Sequence, residues 1–320
     1  MTRTTARRWV RFVGLLLSAA AVAWIAVRFA KSGALGLLAQ ASPSPLALSM
    51  TTVLGACGYA LAMCLPALAW WRLVSALAPV PVPVRNTVVT YAVSQYGKYL
   101  PGNVAHYAIR HAWSRSAGLP HASLGLAAML EAALLLLAAL AATLLGDTTR
   151  LRLFSMIDSR LAIVLLVAIL GALGVGLAFA RRRSFAERWD VPALPSLSVL
   201  LSCLACYAMF FVASAALLEL LAHALGLGVE SFSLLLAAGA ASWAAGFIVI
   251  GAPGGLGVRE AAFVALAGGA LGESHALLLI GLFRIVTFLG DTLLFAAGAL
   301  ALRGADGAIG DSSRNHRSAP

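Results

Sequence analysis

The sequence predicts an all-α, polytopic integral membrane protein. About six full spans and two oppositely oriented re-entrant broken-helix hairpins form an inverted repeat. Three observations predict it. Of 320 residues, 61% are hydrophobic and only 11% charged, where a soluble domain carries about 25% charged residues; the mean hydropathy is +0.93. Six apolar runs are long enough for the roughly 20 residues that a helix needs to cross a bilayer core. Two further apolar stretches are interrupted by Pro-Gly. A chain of this composition is not a soluble enzyme, a disordered chain or a nucleic-acid binder. Its formal charge of +11 comes from small loop clusters, as the positive-inside rule expects of a membrane protein.

In chain order, the full spans are expected at 12–30, 46–71, 121–145, 161–180, 197–225 and 275–302. Arg7, Arg8 and Arg11 precede the first run and would also suit a cleaved leader, but a retained anchor fits the rest of the topology. The stretches 86–119 and 232–271 read as half-helix, break, half-helix. The first is broken at Pro101-Gly102-Asn103 and the second at Pro253-Gly254-Gly255-Leu256-Gly257. Proline removes a donor and stops a helix, and glycine permits the turn. Broken backbone at membrane depth persists only where protein or a wet cavity satisfies it, so both stretches are expected to enter the membrane and return.

With the N-terminus inside, this topology leaves Arg28, Lys31, Arg150, Arg152 and Arg160 at the outer side. Arg259 and Arg284 fall within the membrane, and the other lysines and arginines lie inside, including the dense Arg181-Arg182-Arg183 loop. The expected organisation is a basic cytoplasmic N-terminus (1–11), a transmembrane domain (12–302) with halves 12–145 and 161–302, and a disordered cytoplasmic tail (303–320) rich in Gly, Ser, Asp and Arg. The cell membrane is the expected location, with both termini cytoplasmic. Each half runs span, span, hairpin, span, the second upside down relative to the first. Pro101-Gly102 matches Pro253-Gly254, and His121-Ala122 matches His275-Ala276. Inverted repeats with discontinuous helices mark transporters, whose sites lie where the breaks meet.

The candidate site follows from the breaks. Lys98 and Tyr99 precede the first break. After Pro101, Gly102 and Asn103, helical spacing puts Asn103, His106, Arg110 and Ser114 on one face. That face is either an amphipathic surface along the interface or the wall of an anion cavity. The second reading is favoured because a helix N-terminus presents unpaired N–H groups and an arginine can bind phosphate bidentately. After Pro253, Gly254, Gly255 and Gly257 come Arg259 and Glu260, two charges that cost about 2.5–3.5 kcal/mol each at a membrane centre. Adjacent residues point about 100° apart on a helix, so each needs another partner; for Glu260 these are Arg110 or Arg284. Glu131, Arg284 and Asp291 are candidate gating or coupling groups; Glu131 and Arg284 hold equivalent repeat positions with opposite sign, which invites their pairing across the pseudo-two-fold.

Cys57, Cys64, Cys203 and Cys206 lie in apolar runs, which suits core residues better than a metal or disulfide framework. No P-loop, catalytic triad or zinc motif is present, so neither a cofactor nor a metal is expected, and catalytic residues are not assigned.

Tyr99-Leu100-Pro101-Gly102-Asn103 with Arg110, then Pro253 through Glu260, then Leu282-Phe283-Arg284, resembles the lysylphosphatidylglycerol synthase transmembrane family, a flippase-like membrane domain. The resemblance covers about 10–302. It implies a phospholipid or polyprenyl-phosphate-type ligand with an anionic phosphate head group. Two departures stand out. Glu131 is followed by Ala132 where the family often has Glu-Arg, and the soluble synthase domain is missing. The leading expectation is therefore lipid transport rather than synthesis. The alternatives are a membrane-embedded glycosyl- or aminoacyl-lipid transferase, or a non-catalytic subunit beside an envelope-lipid enzyme.

Overall fold

The computed structural model describes Val27 and residues 45–100, 104–146, 192–228, 231–249 and 252–315, with side chains as far as Leu302. The expected N-terminal segment 1–11, the spans 12–30 and 161–180, the Arg181 loop and Pro101-Gly102-Asn103 lie outside the described residues. What is described is helical, without strands. The elements are α1 (Pro45–Ala62), α2 (Cys64–Leu77), α3 (Val84–Ser94), a 3-10 turn (Gln95–Tyr99), α4 (Ala105–Ser116), α5 (His121–Leu145), α6 (Leu197–Ala224), α7 (Phe232–Ile248), a 3-10 turn (Pro253–Gly255), α8 (Val258–Leu271) and α9 (Glu273–Asn315). Residues 303–315, read from composition as a disordered tail, continue α9.

Among the described residues, five helical stretches are long and apolar enough to cross a membrane: Leu46–Leu77, His121–Leu145, Leu197–Ala224, Pro253–Leu271 and Glu273–Leu302. Four coincide with expected spans. The fifth is the second arm of a stretch expected to enter and return. Leu46–Leu77 bends at Met63 because Pro66, three residues on, has no N–H to donate into the preceding turn. Outward-facing Leu54, Leu61, Met129, Leu145, Leu197 and Leu201 stand largely exposed. In water such surfaces would associate; against lipid they are at no disadvantage. The fold is that of a multi-pass membrane protein.

The two broken stretches hold matching positions. α3 and α4 pack on each other across the first break, and α7 and α8 across the second. The helix after each break crosses the entry arm of the other: α5 packs on α7, and α9 packs on α3. Both crossings are seated on a glycine. A Cβ on Gly146, at the end of α5, would lie 2.6 Å from the Ala237 Cβ of α7, and one on Gly298 would lie 2.9 Å from Val93 Cγ2 of α3. The pairs α5–α7 and α9–α3 occupy corresponding places in the order of elements. Gly298→Val should separate α9 from α3 and lower the thermal midpoint in detergent, through overpacking of about 1–3 kcal/mol. Gly281→Ala, on the same helix with nothing near its added Cβ, should leave the midpoint unchanged or slightly raised.

Candidate functional site at the meeting of the two breaks

The 3-10 turn that precedes the first expected break meets the second break. A Cβ on Gly254 would lie 3.1 Å from the Tyr99 ring, so the second break receives the aromatic side chain that ends the first 3-10 turn. Gly254 and Gly255 have φ of 58° and 71°, the left-handed region that glycine enters at no steric cost. The first turn is tight for its own reason: a Cβ on Gly97 would meet the His106 backbone nitrogen at 2.7 Å, so the turn lies directly on α4.

Ion pairs organise the charges around this point. Arg110 donates from Nη1 and Nη2 to Glu131 Oε1 and Oε2 at 3.0 and 2.7 Å, with both side chains 1% exposed. Its guanidinium also lies against Trp70, Tyr91 and Tyr107, 4.2–4.9 Å from the three ring centroids. Arg284 pairs through Nε with Glu260 and donates from Nη2 to the Gly254 carbonyl at 3.0 Å. Lys98 Nζ reaches Asp291 at 2.7–2.9 Å, and the Tyr99 hydroxyl donates to Asp291 Oδ2 at 2.6 Å.

Two expectations are revised. The pairing of Glu131 with Arg284 is not formed; each ties its own post-break span to its own hairpin, Glu131 to Arg110 and Arg284 to Glu260. The signs are reversed between the halves, as the sequence indicates, but the partners are local because each half-helix folds back on the span that follows it. Arg110, expected to meet phosphate, has its fork filled by Glu131, so it braces α4 on α5. Of the two partners expected for Glu260, Arg284 is the one that holds it.

Arg259 is the exception. Among the described residues it makes no ion pair, and its buried Nε has no hydrogen-bond partner. Its stem passes between two glycines: a Cβ on Gly255 would come within 2.6 Å of Nε, and one on Gly246 would overlap Cγ. The guanidinium lies 5.4 Å from the Trp243 ring centroid. The side chain is held in a slot, yet its charge is unanswered.

Arg259 also stands on the shared wall of two cavities. One, the more polar of the two, is lined by Tyr59, Tyr91, Gln95, Lys98, His106, Tyr107, Glu131 and Arg259 together with apolar side chains such as Met63, Leu135 and Phe247. His106 is buried there with Nδ1 unpartnered. The other is mostly apolar and lies among α1, α6, α7 and α9, lined by Phe210, Phe211, Leu218, Leu235, Leu236, Ile280 and Phe283, with Arg259 and Arg284 at one side. Tyr59, Phe210 and Trp243 border both.

The candidates Lys98, Tyr99, His106, Glu131, Gly254, Gly255, Arg259, Glu260, Arg284 and Asp291 thus gather at one place, with Pro253 and Gly257 in the break itself. Pro101, Gly102 and Asn103 fall outside the described residues. Sequence reasoning did not find Tyr59, Tyr91, Gln95, Trp243 or Gly246. Polar-tipped aromatics inside apolar spans were a signal for the two tyrosines; Gly246 had none, because its role depends on a side chain thirteen positions away. All four cysteines are free thiols, and no cluster of metal-ligating side chains occurs among the described residues.

Gly255→Ala should expel the Arg259 side chain from its slot and strain a left-handed backbone. The expected result, read as the thermal midpoint in detergent, is an inserted protein that melts below wild type. Gly125→Ala, an added methyl with nothing near it, is the control that should behave as wild type.

Compared with known proteins, the chain matches no family model and no curated sequence.

Proposed function

We propose that this protein is a flippase-like membrane lipid transporter that binds an anionic, phosphate-containing lipid where its two broken helices meet. Kinship with the lysylphosphatidylglycerol synthase transmembrane family is part of this reading. So are six full spans with two re-entrant hairpins, a cell-membrane location and cytoplasmic termini. The observation that carries it is Arg259, a slotted and ionically unpaired cation on the wall between a polar and an apolar cavity. An amphiphile with a negative head answers both sides at once. Its phosphate neutralises Arg259, where a charge-assisted bond is worth more than a neutral one, and its chain lies along the aromatic and aliphatic wall.

A transferase needs a general base placed at the reacting group. The three buried carboxylates, Glu131, Glu260 and Asp291, are each engaged by a cation, which favours transport over transfer. Glu260 ties α8 to α9 through Arg284, and a negative head group seated on the neighbouring Arg259 would repel that carboxylate and loosen α8 from α9, giving binding a way to drive rearrangement. The test is leaflet exchange of a labelled anionic phospholipid in vesicles containing the purified protein alone. Donor-independent exchange is expected. Glu260→Gln should keep binding and impair exchange. Product formation only with an added donor substrate would favour the transferase, and activity only with a co-expressed partner would favour a subunit role.

A further inference from the structure

We infer that the polar cavity selects a head group bearing a single negative charge, a phosphodiester, over a doubly charged phosphomonoester. This rests on the lipid-binding reading and names the chemical class of its ligand. Around the breaks, the described cations are Lys98, Arg110, Arg259 and Arg284, and the described carboxylates are Glu131, Glu260 and Asp291. Three ion pairs use every carboxylate. One cation, Arg259, is left, so one negative charge completes the site.

A second negative charge finds no cation on the cavity wall that is not already paired. Lys98 is held by Asp291. The remaining polar side chains on the wall are Gln95, Tyr59, Tyr91, Tyr107 and His106, with Glu131 beside them. His106 is buried on this wall one helical turn from Arg110, a setting in which a second positive charge is disfavoured. Its unpartnered Nδ1 can make one hydrogen bond to a head group but supplies no charge. The Glu131 carboxylate faces the same space and repels a dianion. In a poorly solvated cavity an unanswered charge is costly, so the charge state of the phosphate decides whether it binds.

Phosphodiesters remain singly charged from acid to alkaline pH, whereas a phosphomonoester passes from one charge to two with a pKa of about 6. The experiment places the full chain in nanodiscs of phosphatidylcholine containing either phosphatidylglycerol, a diester, or phosphatidic acid, a monoester. Bound lipid is measured by native mass spectrometry at pH 5.5 and pH 8.5. The diester controls for titration of the protein itself, of which His106, Lys98, Glu131 and the tyrosines face the cavity. Diester binding should change little with pH. Monoester binding should match it at pH 5.5 and fall by about tenfold at pH 8.5, the factor expected of one unsatisfied buried charge. His106→Lys should restore monoester binding at pH 8.5; the wild-type comparison stands without it should that variant fail to fold. Monoester bound as tightly as diester at pH 8.5 would overturn the inference and leave anionic-lipid binding intact. No preference of either anion over phosphatidylcholine would overturn the lipid-binding reading itself.

Discussion

Arg259→Ala is expected to weaken binding of an anionic phospholipid by about 10- to 100-fold, the range that follows from losing a charge-assisted hydrogen bond worth about 1.5–3 kcal/mol. The same change should cost little stability or raise it. Arg259 has no ion-pair partner among the described residues, so its removal orphans no carboxylate and relieves an uncompensated charge. Losing function without losing stability is the signature of a ligand group as opposed to a brace. Arg259→Lys should recover only part of the binding, because an ammonium cannot reproduce the planar fork that lies over Trp243. Equal binding by wild type and Arg259→Ala, measured as lipid retained on purified protein, would remove the basis for an anion site here.

Glu131→Ala should give the opposite pattern. It leaves Arg110 charged, 1% exposed and without its bidentate partner, and breaking a buried pair from one side costs about 3–5 kcal/mol. The variant should melt well below wild type in detergent and insert poorly. The double variant Arg110→Met, Glu131→Leu removes both charges and should recover much of the lost stability. The methionine would occupy the aromatic cage of Trp70, Tyr91 and Tyr107, where sulfur makes favourable ring contacts. A double variant as unstable as Glu131→Ala would mean that the pair is needed for more than mutual neutralisation.

Much of this site was legible in the sequence because its chemistry is expensive. A charge in an apolar run must have a reason, so Arg110, Glu131, Arg259, Glu260, Arg284 and Asp291 announced themselves, and the two Pro-Gly breaks showed where they would gather. Partner choice was not legible. Repeat alignment put Glu131 opposite Arg284, but which side chains meet depends on how α4 folds back on α5 and α8 on α9. That is set by rotation about helix axes, which sequence spacing leaves open. The freedom of Arg259 was hidden for the same reason. Spacing shows that Arg259 and Glu260 point apart and that each needs another partner, but not that Arg284 takes the carboxylate and leaves Arg259 without an ion pair among the described residues. The role of Gly246 was invisible, since an unremarkable glycine in a helix acquires meaning only from what passes beside it. The spans at 46–71 and 197–225 were bounded well, although the first runs on to Leu77 through a proline bend that polarity alone did not require.

The ion pairs also set what kind of movement the molecule can make cheaply. Arg110–Glu131 and Glu260–Arg284 each join neighbours in sequence, a half-helix and the span that follows it, so each pair travels as a passenger when its unit moves. Lys98 and Tyr99 are different: they reach across to Asp291 on α9, 193 and 192 positions further along the chain. Sliding the 3-10 turn Gln95–Tyr99 along α9 therefore separates one buried charge pair and the hydroxyl contacts of Tyr99 and Tyr96, not three charge pairs. The seam between α3 and α9 behaves like a latch with a single buried ionic tooth; the other charge along it among the described residues, Arg85, is exposed and holds only the Ala301 carbonyl.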